Sequence, residues 1–348
     1  MKILIADKFE KAGVDGLKAL GAEVIHEPGA GADGLADVLA RVQPDVLVVR
    51  SSKVQAPALA AATVLKAIIR AGAGVDNIDV PAASAGGIAV ANCPGMNSIA
   101  VAELVFGHLL ACDRRIPEQT AEARSGKWNK KEFSTKARGL KGSTLGIVGL
   151  GSIGQAVAKR ALAFEMNLLG WDAFLTPAQL QAMKIRSMGS DRAALLALAR
   201  ECDAITIHVA LVPETRRLCN AEFFAATKPG AYFINTSRGG VVDEAALVEA
   251  IKSKGLRAGV DVYDGQPPTP QGDLTTPVNA VATSMTHHCG ASTEQAQDAV
   301  AAEVVRLVKV FKETGRLENS VGDVGGVGGP VAAGVIVEMQ PSRPVTAR

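Results

Sequence analysis

The run Thr144-Leu-Gly-Ile-Val-Gly149-Leu-Gly151-Ser152-Ile153-Gly154 narrows the fold more than any other stretch of this chain. A GxGxxG pattern alone carries little weight in a protein with 36 glycines among 348 residues. Here it follows a β-rich segment and opens a helical pattern of Ile153, Val157, Ala161 and Leu162, the context a dinucleotide-binding turn requires. Gly149 permits the tight turn, Gly151 lets a pyrophosphate reach the backbone, and Gly154 lets helix pack close to strand. The helix N-terminus offers the phosphates its free N–H groups and the positive end of its dipole. Asp172 follows 18 residues after Gly154, at the end of the next predicted strand. A carboxylate there accepts hydrogen bonds from ribose hydroxyls and repels a 2′-phosphate, which favours NAD over NADP as cofactor.

Short β-rich runs alternate with Ala- and Leu-rich helical segments almost throughout, which indicates an α/β fold of parallel strands joined by right-handed crossovers. Strands are predicted at Ile3–Ala6, Glu23–His26, Val46–Arg50, Lys66–Arg70 and Ile88–Ala91, with helices around Val14–Leu20 and Leu35–Val42. A long helix is expected from Ser98 to Ile116 and a basic surface loop from Arg124 to Lys141. A second series predicts strands at Thr144–Gly149, Asn167–Trp171, Ala204–His208, Tyr232–Asn235, Ala258–Tyr263 and Ala280–Met285. Asp191 and Asp243 stand where helix N-caps are expected, and a last helix is read from Thr293 to Thr314. Residues 321–348 form a Gly-rich tail with six glycines from Gly322 to Gly334, read as flexible and without a site of its own.

Composition excludes several function classes. With 37 Lys+Arg against 35 Asp+Glu the net charge is +2, too balanced for a general nucleic-acid or anionic-membrane binder. Hydrophobic content of 48% with 21% charged residues describes a folded globular protein. The 5 cysteines are dispersed and form no CxxC, so neither a disulfide framework nor a zinc site is expected, and reduced thiols suit a cytoplasmic enzyme. The apolar run before Asp7 is too short for a signal peptide. The longest uncharged stretch, Val80 to Ala102, contains Pro81, Pro94 and three glycines and would make a poor membrane helix.

The remaining chemistry sits just past predicted strand ends, where open α/β sheets bind ligands. Asn235-Thr-Ser-Arg238-Gly-Gly240, Asp261-Val-Tyr-Asp264-Gly-Gln266-Pro-Pro268 and Thr286-His-His288-Cys-Gly-Ala-Ser292 follow successive strands. An Arg and a His from neighbouring strand ends suit a carboxylate-bearing substrate. Alone, His26, His108 and His208 read as ordinary interior or loop histidines, and strand alternation would turn His287 away from His288.

These segments, with Arg70-Ala-Gly-Ala-Gly74-Val-Asp76-Asn77 and the Gly149–Gly154 fingerprint, resemble the D-2-hydroxyacid dehydrogenase family, and most closely its phosphoglycerate dehydrogenase branch. The likeness runs from about residue 2 to about residue 321. It implies two Rossmann-like or flavodoxin-like domains with parallel sheets and an active site in the cleft between them. Residues 1–98 and 289–320 would form the substrate domain and 99–288 the NAD domain. By position, Arg238 would bind the substrate carboxylate and polarise the C2 oxygen, a task suited to its bidentate fork. His288 would exchange the C2 hydroxyl proton. Ala73 and Gly74 would hold the carboxylate through backbone N–H groups. Ser152, Ile153, Asp172, His208, Val209, Thr236, Ser237, Asp261, Gly290 and Ala291 would line the cofactor together with the fingerprint glycines. Dimerisation through the NAD domain is the family expectation.

Gln266 departs from the pattern, because the family usually places a Glu there to pair with the catalytic His. A Gln can fix the imidazole tautomer but cannot stabilise imidazolium by charge, so an acid-shifted pH optimum is expected. The branch also implies cations for a substrate phosphate, matched by Arg50, Arg70, Lys130 and Lys131. The leading expectation is therefore NAD-dependent oxidation of D-3-phosphoglycerate. Alternatives are a hydroxypyruvate or glyoxylate reductase, a formate dehydrogenase suggested only by Gln266, and an NADH-sensing binding protein. The 28 residues after Ser320 are too few for an added regulatory domain.

Overall fold

The computed structural model describes residues 1–322 except 30, 136 and 268–270, and leaves the side chains of 31–33 undescribed; most of the Gly-rich tail lies outside the described residues. The described residues divide into two compact units, 1–92 with 304–322, and Cys93–Glu303.

The first unit runs β1 (Lys2–Ile5), α1 (Lys11–Ala19), β2 (Glu23–His26), α2 (Gly31–Val42), β3 (Val46–Val49), α3 (Ala56–Ala61), β4 (Ala67–Arg70), α4 (Val80–Ala85) and β5 (Ala89–Asn92). Its sheet is parallel with order β2-β1-β3-β4-β5, a flavodoxin-like arrangement. Helices on both faces explain why β3, Val-Leu-Val-Val, is buried at all four positions rather than alternating. Arg50 lies one residue past β3 and Arg70 ends β4, so the two sit at neighbouring strand ends.

The second unit opens with α5 (Ser98–Arg114), α6 (Ile116–Arg124) and α7 (Lys130–Phe133). It continues with β6 (Thr144–Val148), α8 (Ser152–Ala163), β7 (Asn167–Trp171), α9 (Pro177–Ala182), β8 (Arg186–Gly189), α10 (Arg192–Glu201), β9 (Ala204–Ile207) and α11 (Ala221–Ala226). β10 (Tyr232–Asn235), α12 (Glu244–Lys254), β11 (Arg257–Val260), β12 (Ser284–Met285) and α13 (Glu294–Thr314) complete the series, α13 crossing into the first unit at Val304. The seven strands are parallel in the order β12-β11-β10-β9-β6-β7-β8. β6 lies at the point where the order reverses, where a Rossmann sheet opens its ligand crevice.

Several elements depart from expectation. The helix predicted from Ser98 to Ile116 stops at Arg114, because Arg115 turns left-handed at φ 52°. Pro117 then sits in the first turn of α6, where its missing N–H costs nothing; in a continuous helix its ring would strike the carbonyl four residues back. The predicted loop 124–141 contains α7, capped by Asn129, so Lys130 and Lys131 stand exposed on a helical turn. The strand expected at Ala280–Met285 shrinks to Ser284–Met285 behind a 3₁₀ turn at Pro277–Ala280. β8 carries too little apolar pattern to be seen in sequence and exists as an edge partner of β7. Among the described residues no helix is long and apolar enough to cross a membrane.

Candidate active site

The glycine turn of the second unit behaves as its spacing predicts. A Cβ on Gly154 would lie 2.1 Å from the carbonyl oxygen of Gly149, so only glycine lets α8 start so close to β6. A Cβ on Gly151 would meet nothing within 4 Å, which leaves the approach to the backbone open at that point. No side chain caps the N-terminus of α8, so its first-turn donors remain for an anion. Ser152 is exposed and Ile153 half-buried at this terminus. Asp172 ties the turn from the next strand end: one oxygen accepts from the Leu150 N–H at 2.7 Å, the other from Phe174 and Leu175 N–H at 2.8 Å. Past β9, His208 is held by Thr206 Oγ1 at 2.9 Å, while burial drives its pKa down to about 3 and keeps it neutral. His208 Nδ1 and Thr236 Oγ1 are buried polar atoms with no hydrogen-bond partner among the described residues. Bare helix donors, a ribose-type acid and orphaned polar atoms at the strand ends fit a dinucleotide such as NAD.

The other half of the site grows from β10, β11 and β12. Asn235, buried at the end of β10, accepts from Ser237 N–H and Oγ and donates to the Arg238 carbonyl, so one amide folds the Thr236–Arg238 turn. A Cβ on Gly239 would fall 2.0 Å from the Tyr263 carbonyl carbon, so this turn nests on the backbone after β11 only because glycine is there. Arg238 Nη1 donates to the Ser237 carbonyl at 2.8 Å, which anchors the guanidinium at the strand end.

Asp261, directly after β11 and 1% exposed, organises the His288 loop. Its Oδ1 accepts from Thr286 Oγ1 at 2.6 Å and from Cys289 N–H at 2.9 Å, and its Oδ2 from Gly290 N–H at 3.0 Å. The Asp261 carbonyl accepts the His288 N–H at 2.8 Å. These bonds hold His288 at φ 52°, a left-handed conformation that a non-glycine residue adopts only when its surroundings over-determine it. β12 ends at Met285, so strand alternation does not govern His287, which is exposed. His288 Nδ1 lies 3.0 Å from Gln266 Oε1. The amide oxygen only accepts, so Nδ1 carries the hydrogen and Nε2 of the neutral ring is the nitrogen that can take a proton.

In the first unit, the Arg70 guanidinium folds over Gly72, where a Cβ would lie 1.6 Å from Nη1. The Arg50 N–H donates to Asp7 Oδ2 at 2.6 Å, and its guanidinium is 3.9 Å from Glu10. A cavity of about 550 Å³ in the second unit opens instead at the N-terminal ends of β10 and β11, lined by Arg115, Arg138, Tyr232, Lys254 and Arg257 among others. Its cations are largely spent: Lys254 on three backbone carbonyls, Arg115 on Glu118 and Glu132, Arg257 on the Cys112 and Asp113 carbonyls. Sequence reasoning passed over Asn235 as a positioning group, because its role depends on the turn it closes.

Comparison with known proteins agrees with this geometry. Residues 106–290 match the family described as D-isomer specific 2-hydroxyacid dehydrogenase, NAD binding domain. The D-3-phosphoglycerate dehydrogenase of Methanocaldococcus jannaschii is 40% identical over 323 residues, covering 92% of this chain but 59% of the relative. The chain thus spans about three-fifths of the length of that relative. The hydroxypyruvate reductase of Thermotoga maritima is 44% identical over 285 residues, 80% of this chain and 88% of the relative. The crystal structure of the TT0316 protein from Thermus thermophilus superposes with a TM-score of 0.79 at 33% identity, over 92% of this chain and all of that one. The NAD+-bound 3-phosphoglycerate dehydrogenase of Entamoeba histolytica superposes with a TM-score of 0.75 at 26% identity, over 93% of this chain and 99% of that one. The chain belongs to the D-isomer-specific 2-hydroxyacid dehydrogenase family, and its second unit carries that family's NAD-binding domain.

Proposed function

We propose that the protein oxidises a 2-hydroxy acid to the 2-oxo acid with NAD, and that its substrate is D-3-phosphoglycerate. The observation that carries the chemistry is the His288–Gln266 pair, in which Nδ1 of an exposed imidazole meets the amide oxygen and Nε2 is the proton-exchanging atom. Bound NAD supplies the hydride acceptor. Arg238 binds the substrate carboxylate through its guanidinium fork and draws electron density from the C2 oxygen. His288 Nε2 takes the hydroxyl proton as the C2 hydrogen leaves with its electron pair, and the Gln266 oxygen steadies the imidazolium that results. In the reverse direction the same nitrogen returns the proton. Asp261 holds the loop bearing His288, and Asp172 selects the unphosphorylated ribose.

The phosphorylated substrate is supported by the phosphoglycerate dehydrogenase relatives and by Arg50 and Arg70 at adjacent strand ends, Arg70 folded over Gly72. Lys130 and Lys131 belong to the same reading as exposed cations. A hydroxypyruvate or glyoxylate reductase is the second reading, favoured by the 44% identity to a hydroxypyruvate reductase that the chain nearly spans. Steady-state kinetics on 3-phosphoglycerate, hydroxypyruvate and glyoxylate separate the two. The first reading expects 3-phosphoglycerate to give the highest kcat/KM, with Arg50→Ala and Arg70→Ala raising its KM on the order of ten-fold, as expected for a lost charged hydrogen bond. A strong preference for an unphosphorylated acid, unmoved by either substitution, transfers the assignment to the reductase. As an enzyme of this family, the protein is expected to act as a homo-oligomer in the cytoplasm.

A further inference from the structure

His108 is buried in the middle of α5, 1% exposed, and takes no part in the chemistry just described. Both of its ring nitrogens are nevertheless engaged. Nδ1 lies 2.9 Å from Ser284 Oγ and Nε2 lies 3.1 Å from Thr286 Oγ1. Ser284 begins β12 and Thr286 follows its last residue, and their two hydroxyls bracket the imidazole. Thr286 Oγ1 in turn lies 2.6 Å from Asp261 Oδ1, the carboxylate that holds the Cys289 and Gly290 N–H groups. The fold makes room for this ring: a Cβ on Gly259 in β11 would lie 2.6 Å from His108 Cβ and 2.9 Å from its Cγ. A glycine in mid-strand forgoes side-chain packing, and here the space it frees holds the imidazole.

The direction of each hydrogen bond follows from the last one. Asp261 accepts the Cys289 and Gly290 N–H groups, and the Thr286 hydroxyl likewise donates to it. The Thr286 oxygen is then left to accept, so His108 Nε2 carries the hydrogen. Neutral imidazole leaves Nδ1 as the acceptor, and the Ser284 hydroxyl donates to it. Burial pushes the His108 pKa down, against the pull of the Asp261 charge, and so keeps the ring neutral. The relay Ser284 to His108 to Thr286 to Asp261 therefore has one polarity from end to end.

We propose that His108 is a positioning residue for the cofactor site: its Nε2–H fixes the Thr286 hydroxyl on Asp261 and thereby sets the carboxylate and the Cys289–Gly290 turn. Asp261 and Gly290 belong to the cofactor-lining set assigned above, so this inference rests on that reading of the NAD site and not on the choice of hydroxy acid.

The experiment compares His108→Leu, His108→Gln and Thr286→Val in the full chain. NADH affinity is read by fluorescence titration, and kcat and KM for NAD with whichever hydroxy acid is turned over. Gln places an amide N–H near the position of Nε2 and is expected to restore what Leu removes. His108→Leu and Thr286→Val should each weaken NADH binding roughly five-fold, as one lost buried hydrogen bond of about 1 kcal/mol implies. KM for the hydroxy acid should stay within two-fold of the parent, as estimated for a group that touches only the cofactor side. His108→Gln should fall within about two-fold of the parent. Parent-like NADH binding by His108→Leu, or equal weakening by Leu and Gln, overturns the proposal in favour of packing alone. Should His108→Leu not fold, the ring nitrogen shifts of ¹⁵N-histidine-labelled parent decide: an Nε2–H tautomer at neutral pH is expected, and an Nδ1–H tautomer overturns it. The NMR result does not depend on enzyme activity, so a failed relay and a failed substrate assignment remain distinguishable.

Discussion

Replacing Gln266 by Glu puts a negative charge where His288 now meets an amide oxygen, 3.0 Å from Nδ1. The geometry of the pair need not change, because either oxygen accepts from Nδ1–H. What changes is the energy of the protonated ring. Two unit charges about 4 Å apart attract by roughly 1 kcal/mol in water and about 4 kcal/mol where the effective dielectric constant is near 20. Both side chains are exposed, so the low end applies, and about 1.4 kcal/mol corresponds to one pKa unit. The added carboxylate favours imidazolium, so the His288 pKa should rise by about one unit in Gln266→Glu. Oxidation needs the neutral ring, so the rising limb of kcat/KM against pH should move about one unit to higher pH. Reduction needs the protonated ring, so its falling limb should move the same way. The assay is a pair of pH–rate profiles, one in each direction, at constant ionic strength. Raising the salt to about 1 M should shrink the displacement, because the screening length falls to roughly 3 Å. An unchanged profile, or a shift to lower pH, would refute the pairing as the control on His288.

Asp172→Ala should weaken NAD binding and raise NADP use, since it removes both the ribose acceptor and the anchor of the Leu150 N–H; a NAD/NADP preference equal to the parent's contradicts this, and kcat/KM for the two cofactors measures it. His208 has a folded pKa near 3 against about 6.5 unfolded, so the unfolded state binds the extra proton between these values. Its contribution to stability is complete above pH 6.5 and is lost as the pH falls towards 3, about 2 kcal/mol being gone by pH 5. Urea unfolding at pH 7 and pH 5 should show a smaller loss in His208→Gln than in the parent. Among the 5 cysteines, burial pushes Cys112 and Cys202 up to about 12 and Cys219 higher still, while Cys289 is only half-buried. A thiol reagent at pH 8 should therefore label Cys289 first in the native protein and all five after denaturation. Rapid labelling of Cys219 in the native protein would contradict the packing of the second unit.

The chain reads well where information is local. The strands of both sheets other than β8, the turn at Gly149–Gly154 and the N-caps Asp191 and Asp243 were legible because each depends on residues within one turn or one strand. Boundaries slipped where tertiary packing overrode pattern. The helix through Ile116 breaks at Arg115, which is held by Glu118 and Glu132, the latter 17 residues away. β8 has little apolar signal and forms because β7 offers it an edge.

The site divides in the same way. Sequence alone nominated candidate residues for the chemistry: Arg238, His288, Asp172 and Asp261 each follow a strand, and parallel strands deliver their C-terminal ends to one edge of the sheet. It also placed Gln266 in the position to be tested against His288. Tertiary structure decided what those groups do to one another. That His288 directs Nδ1 to Gln266, that His208 is neutral, and that His108 stands between Ser284 and Thr286 all depend on contacts or burial no local pattern encodes. The partners of His108 lie 176 and 178 residues away along the chain. Hydrogen-bond direction and desolvation are properties of surroundings, and the surroundings exist only once α5 has packed against β11 and β12.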